Sequence, residues 1–128
     1  MTKTPSDKWK KNILKYKKQC QTILEVSNNI RYAGVINNYG RTLTGVIKPN
    51  LKPLLKSEDV KHEFFIISTL FSIRKDNTDS LGKLDHIVLK HSKVNLVILQ
   101  KNNVTFYISI NSKEKNLEKI ISLVKKTI

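Results

Sequence analysis

The 128-residue chain has one cysteine, three prolines, four glycines and no long apolar run. Cys20 has no second cysteine to pair with, which indicates a reducing compartment or a protein indifferent to redox state. No apolar run exceeds that of Phe64 to Ile67, far below the roughly 18 residues that span a bilayer. The first residues also lack the apolar core of a signal peptide. These absences predict a soluble, cytoplasmic protein.

Motifs that carry catalysis or bind a metal or cofactor are also missing. None of the three histidines, His62, His86 and His91, lies at a ligand spacing from Cys20. The glycines match neither a phosphate-binding loop nor a dinucleotide fingerprint, no nucleophile elbow is present, and the carboxylates are dispersed. The sequence therefore predicts a protein that is not an enzyme and that uses no metal or cofactor.

Negative charge is scarce: 24 Lys and Arg face 10 Asp and Glu, which gives a net charge of +14. Such a charge attracts nucleic acid through counterion release. Only three of these cations are arginines, the residue that base readout and bidentate phosphate binding favour. A nucleic-acid-binding surface and a merely solubilising surface therefore both remain open.

Residues 1–7 are predicted to be a flexible N-terminus, followed by a single domain over residues 8–128. A first helix is predicted from Ser6 or Asp7 to about Val26, with a buried apolar stripe that begins at Trp9. Four lysines cluster on the opposite side of this helix. They form either a surface that tracks phosphates or an ordinary solvated face. These lysines are Lys8, Lys11, Lys15 and Lys18.

A second helix is predicted from Ser57 to about Arg74, and its apolar residues cover well over half of its circumference. Val60, Phe64, Ile67 and Phe71 share one face, which Ile66, Leu70 and Ile73 widen, and Phe65 points nearly opposite. Such a helix usually has two surfaces to cover, and the second indicates another subunit. The rival interpretation is a buried strand, since β-branched and aromatic residues dominate the segment.

Five apolar runs predict strands, and the first two form a hairpin around Gly40, which supplies the positive φ of the turn. Gly34 and Gly45 allow a large group to approach this hairpin closely. A polar loop is predicted over residues 75–83, and a last helix after Asn111 or Ser112. The predicted strands are Ile30 to Ile36, Leu43 to Ile47, Leu84 to His91 at an edge, Val94 to Gln100 and Val104 to Ile110.

Residues 8–128 resemble the roadblock family of profilin-like folds. The resemblance is carried by Arg31 to Ile36, by Tyr39-Gly40-Arg41, by Leu43-Thr44-Gly45 and by Val104 to Ile110 running into the last helix. The chain is also similar in general character to small proteins of ammonia-oxidising archaea. The resemblance implies an α/β fold with one five-stranded antiparallel sheet in the order 2-1-5-4-3. It also implies homodimers and a role in scaffolding or regulating small GTPases and motility complexes.

The resemblance places the dimer interface on the second helix and the third strand, where the sequence independently shows excess apolar surface. The predicted interface residues are Phe65, Ile66, Ile73, Ile87 and Leu89. The predicted function is a non-enzymatic dimerisation and regulatory scaffold that binds a protein partner. The alternative is an accessory nucleic-acid-binding protein that uses the four lysines of the first helix. A third possibility, binding of a small ligand, requires a pocket between sheet and helix.

Overall fold

The computed structural model describes residues 5–128, without the side chain of Ser57. Residues 1–4 of the predicted flexible N-terminus lie outside this range, and residues 5–7 belong to the first helix. The elements are α1 (Pro5–Val26), β1 (Ile30–Ile36), β2 (Thr42–Ile47), α2 (Ser57–Asp76), α3 (Thr78–Leu81), β3 (His86–Lys90), β4 (Val94–Lys101), β5 (Val104–Asn111) and α4 (Leu117–Thr127).

The five strands form one antiparallel sheet in the order β2-β1-β5-β4-β3. This confirms the predicted fold class and strand order, and it places β3 at an edge. The segment from Phe64 to Ile73 is helical, as predicted, and not a strand of the sheet.

Two of the hairpin turns have the backbone conformations that their residues favour. Asn102 and Asn103, with φ of 52° and 64°, join β4 to β5 as a tight turn with two left-handed residues. In the β1–β2 turn, the side-chain oxygen of Asn37 accepts hydrogen bonds from the backbone N–H groups of Tyr39 (2.9 Å) and Arg41 (3.0 Å). Gly40 follows with φ of 80°, which confirms its predicted role.

A hydrophobic core lies on each face of the sheet. α1 and α4 cover one face, where Ile23, Phe106 and Ile121 are among the buried residues. α2 covers part of the other face through Phe64, Ile67 and Phe71. The smaller cluster under α2 leaves one end of that face uncovered, and this arrangement creates the cavity described below.

The buried side chains of α1, Cys20 and Ile23, both lie in the second half of the helix. Burial raises the pKa of the Cys20 thiol to about 12, which keeps it protonated and unreactive. The prediction that Trp9 lies in the buried stripe is wrong, because this side chain is 59% exposed. No helix in the described part of the chain is both long enough and apolar enough to cross a membrane.

Two further predictions are corrected between the regular elements. The loop predicted over residues 75–83 contains one helical turn, α3. α4 begins later than predicted, because its N-cap is Asn116, whose side-chain oxygen accepts a hydrogen bond from the Lys119 N–H at 3.2 Å. Asn111 ends β5 and makes a turn instead, accepting a hydrogen bond from the Lys113 N–H at 2.9 Å.

Candidate interaction surfaces

The outward face of α2 carries three large apolar side chains that the described part of the chain leaves at least half exposed. Phe65, Ile66 and Ile73 are 61%, 56% and 50% exposed. Ile66 and Ile73 are seven residues apart, with Thr69 between them, which is the spacing of a continuous seam along one side of a helix. The opposite side of α2 packs on the sheet through Phe64, Ile67 and Phe71. We call the surface formed by Phe65, Ile66 and Ile73 the α2 apolar face.

The β1–β2 turn fixes the position of α2. Gly40 is buried against the helix backbone, so that a Cβ atom added at this residue would lie 2.8 Å from Phe65 Cα. The Ser68 hydroxyl donates a hydrogen bond of 3.4 Å to the carbonyl oxygen of Asn37 in the same turn. These backbone contacts, together with the buried side chains, hold the α2 apolar face toward solvent.

β3 pairs only with β4, so that one side of its backbone has no strand partner within the sheet. Leu89 is 37% exposed on this edge strand. Ile87 is half-buried and packs against the core beneath α2. The five predicted interface residues are therefore divided: the α2 residues and Leu89 are accessible, and Ile87 is partly used within the protomer. Their role in an interface stays a prediction.

A cavity of about 860 Å³ lies over the end of the sheet that α2 leaves uncovered. Its floor includes Tyr32, Leu96 and Tyr107, and the connection between β2 and α2 forms one wall. One of its lining residues, Gly45, pairs across the strands with Gly34. The large group that approaches these glycines is the Tyr32 ring, whose hydroxyl would lie 2.3 Å from a Cβ atom at either position.

Tyr107, which is buried, connects this cavity to α2, and the half-buried Tyr32 ring lies against it. The Tyr107 hydroxyl donates to Glu63 Oε1 at 3.1 Å, and its ring contacts Phe64 edge-on, with centroids 4.8 Å apart. Burial raises the pKa of Tyr107, and the negative charge of Glu63 adds to the effect. Burial also raises the pKa of Tyr32. Both phenols are therefore held neutral in the folded protein.

These raised pKa values predict alkaline sensitivity. The folded state favours the neutral phenols, so their contribution to stability is constant below the ordinary tyrosine pKa of 10.0 and is lost as pH rises above it. We expect the urea midpoint to fall above about pH 10, and to fall less steeply in Tyr107→Phe. Tyr39→Phe is the matched control because Tyr39 is 80% exposed. Identical pH profiles for both variants would contradict the prediction.

Three solved structures share this architecture at low sequence identity. The gliding protein MglB from Thermus thermophilus superposes with a TM-score of 0.70 at 12% identity, over 88% of this chain and 82% of that one. MglB in a tetrameric arrangement gives 0.72 at 11%, over 90% and 83%. A Roadblock/LC7 domain from Streptomyces avermitilis gives 0.60 at 11%, over 85% and 91%. The chain has the roadblock-like fold.

Comparison of the sequence with known families and curated proteins finds no relative. No protein-family model matches the chain, and no curated protein matches it. The roadblock-like fold is thus detected through the arrangement of strands and helices, which confirms the resemblance found in the sequence. The similarity to archaeal proteins stays a prediction.

The roadblock-like chain also presents the predicted lysine surface. Lys8, Lys11, Lys15 and Lys18 are all exposed on α1, opposite the side that packs on the sheet. The exposed Trp9 lies on the same helix. Exposure suits both interpretations of these lysines, and no comparison supports nucleic-acid binding, which stays a prediction. Its signature is a binding constant whose logarithm falls linearly with the logarithm of salt concentration, and binding that is lost when the four lysines become glutamates.

Asp85, His86 and Lys125 form a charged cluster. Residues 5–128 contain no group of three or more His, Cys, Asp or Glu side chains that could hold a metal ion. Asp85 contacts His86 Nδ1 at 2.7 Å and also pairs with Lys125. The hydrogen bond from Lys125 lowers the pKa of the Asp85 carboxyl, with a smaller effect from His86. This cluster ties the start of β3 to α4.

Proposed function

We propose that this roadblock-like chain acts in the cytoplasm as a homodimeric, non-enzymatic scaffold that regulates a protein partner. The observation that carries the proposal is the α2 apolar face, where three neighbouring large apolar side chains are each at least half exposed. Contiguous apolar surface of this kind typically marks an interaction site in a water-soluble domain. The α2 apolar face lies opposite the buried side of the same helix. It is therefore the second apolar surface that α2 has to cover.

In the proposed dimer, a two-fold axis passes between two copies of α2, so that each α2 apolar face packs on the other. Such an interface uses the same residues from both chains, so that every contact across it is made twice. The resemblance implies that the edge strand β3, with Leu89, meets the same strand of the second copy. MglB with a tetrameric arrangement is an example of self-association on this fold.

The partner we propose is a small GTPase or a complex that contains one. The support is the roadblock resemblance, together with the likeness to MglB, which is described as a gliding protein. The net charge of +14 adds a physical condition, because it favours a partner surface that is acidic. The exposed surface left after dimerisation supplies the docking site.

The first test is the mass of the protein in solution. Size-exclusion chromatography with light scattering at micromolar concentration should give twice the chain mass of 14.8 kDa. The dimer then serves as bait in an extract of the source cell. The GTPases of the extract are loaded with GTPγS or GDP, and the extract is tested with and without nuclease. We expect nuclease-resistant capture that depends on the nucleotide state. A monomer contradicts the dimer, and capture lost on nuclease treatment favours the nucleic-acid alternative.

A further inference from the structure

We propose that the cavity between α2 and the sheet is a binding site for an amphipathic carboxylate, a long-chain carboxylic acid. The volume of about 860 Å³ lies within the roughly 300–1,000 Å³ range of small-molecule sites. None of the α2 apolar face residues lines it. The proposal therefore does not depend on the dimer, and each can fail without the other.

The interior of the cavity suits an apolar chain. Leu96 and Phe64 are buried at its base, and Val60 and Val94 line its sides. The polar groups of its lining include the Ser109 hydroxyl and the Tyr107 hydroxyl, which already donates to Glu63. A ligand with an extended apolar body would therefore bury carbon against carbon over most of its length.

The mouth of the cavity exposes apolar side chains that a bound chain would cover. Leu54 and Leu55, in the connection between β2 and α2, are 56% and 44% exposed, and Ile47 beside them is 37% exposed. All three line the cavity wall. Residues 5–128 leave this area in contact with water, so a ligand that shields it gains hydrophobic stabilisation.

The charges around the cavity select an anionic head group. Lys61 and Lys93 line it as exposed cations beside His91, against the single carboxylate Glu63. Glu63 is turned toward Tyr107 by its hydrogen bond. No arginine is among the described lining residues, and phosphate recognition favours the arginine fork or a nest of backbone N–H groups. Two ammonium groups over an apolar cavity match a carboxylate.

The direct test is calorimetric titration of the full chain with dodecanoate, 1-dodecanol and dodecylamine, which share one chain and differ in head group. We expect dodecanoate to bind at least about tenfold more tightly than dodecanol, because lysine donates charge-assisted hydrogen bonds to a carboxylate. Dodecylamine should bind most weakly. Equal affinity for dodecanoate and dodecanol overturns the assignment of the ligand class, and no binding of dodecanoate overturns the site.

Charge variants locate the head group. Lys61→Glu with Lys93→Glu should abolish the preference for dodecanoate. Lys119→Glu with Lys126→Glu makes the same change in net charge on α4, across the sheet, and should preserve it. Glu63→Gln keeps an acceptor for Tyr107 and should tighten dodecanoate binding. Equal effects of the two double variants would show a general charge effect and overturn the proposed contact.

Variants that fill the cavity test whether the apolar chain of the ligand binds inside it. Val94→Trp should abolish binding of dodecanoate by occupying the cavity. Gly45→Ala tests the same space with a smaller change, because its Cβ atom displaces the Tyr32 hydroxyl, and it should weaken binding at least severalfold. Unchanged binding in either folded variant overturns the site.

Discussion

Phe65→Glu combined with Ile66→Glu is expected to convert the proposed dimer into a monomer. Each side chain is more than half exposed in the protomer, and in a two-fold interface the double substitution removes four of them. If each contributes roughly 1 kcal/mol or more from the area still available for burial, and the carboxylates resist desolvation, Kd should rise on the order of 10³-fold. Light scattering across a concentration series measures the change.

The matched control for this variant is Trp9→Glu with Leu14→Glu. These α1 side chains are 59% and 60% exposed, which is nearly the exposure of Phe65 and Ile66. The control makes the same change in charge and removes a similar apolar area, but it lies on a different helix. It should leave the dimer intact. Dissociation by the control and not by the α2 variant would place the interface on α1 and contradict the proposed dimer.

The circular dichroism spectrum and urea midpoint of a monomeric variant separate loss of the interface from loss of the fold. Both substituted side chains point away from the core of the protomer, so the secondary structure should be unchanged. An unfolded α2 variant would mean that α2 depends on the second chain for its stability. A folded monomer supports an interface added to a self-sufficient domain.

The sequence was most informative where side-chain periodicity decides which face of an element is buried. In α2, Phe64 and Phe71 are buried and Phe65 is exposed, as helical spacing predicts. The sheet order required the roadblock resemblance, because strand adjacency between β1 and β5 joins residues far apart in the sequence. Local patterns carry no information about such pairing.

Periodicity alone failed where the position of an element within the fold decides burial. Trp9 lies on the correct side of α1, but only the later turns of that helix are fully buried, so the side chain is exposed. The late start of α4 depends on Asn116 acting as a cap, although Asn111 and Ser112 are residues of the same capping class. The cavity could not be located from the sequence, since it results from what α2 fails to cover.

The glycine pair shows which part of a local structure the sequence reveals and which part only the packed molecule reveals. Gly34 and Gly45 predict a close approach of a large group to the sheet, and the structure identifies that group as the ring of Tyr32. The absence of a side chain is visible in the sequence, but what fills the space is a property of the packed molecule. Both the cavity floor and the neutral Tyr32 phenol follow from this packing.

Gly40→Ala is expected to cost about 2–5 kcal/mol of unfolding free energy, as the sum of two effects. The residue has φ of 80°, where a non-glycine side chain costs about 1–2 kcal/mol. The added Cβ atom would also lie 2.8 Å from Phe65 N and 2.9 Å from the Phe64 carbonyl oxygen. Because these are backbone atoms of α2, they cannot rotate away, and such overpacking costs about 1–3 kcal/mol.

Gly82→Ala separates the two effects. Gly82 has nearly the same φ, 79°, but an added Cβ atom would have no neighbour within 4 Å. It should therefore lose only the stability that backbone strain accounts for, about 1–3 kcal/mol at its ψ of 172°, so that any larger loss in Gly40→Ala reports the contact with the α2 backbone. Urea unfolding in the Phe65→Glu, Ile66→Glu background gives the cleanest comparison, since a monomer's stability does not depend on protein concentration. Equal losses would mean that the turn does not hold α2 in place. The contact between Gly40 and the backbone of α2 would then no longer explain why the apolar side chains of that helix face outward.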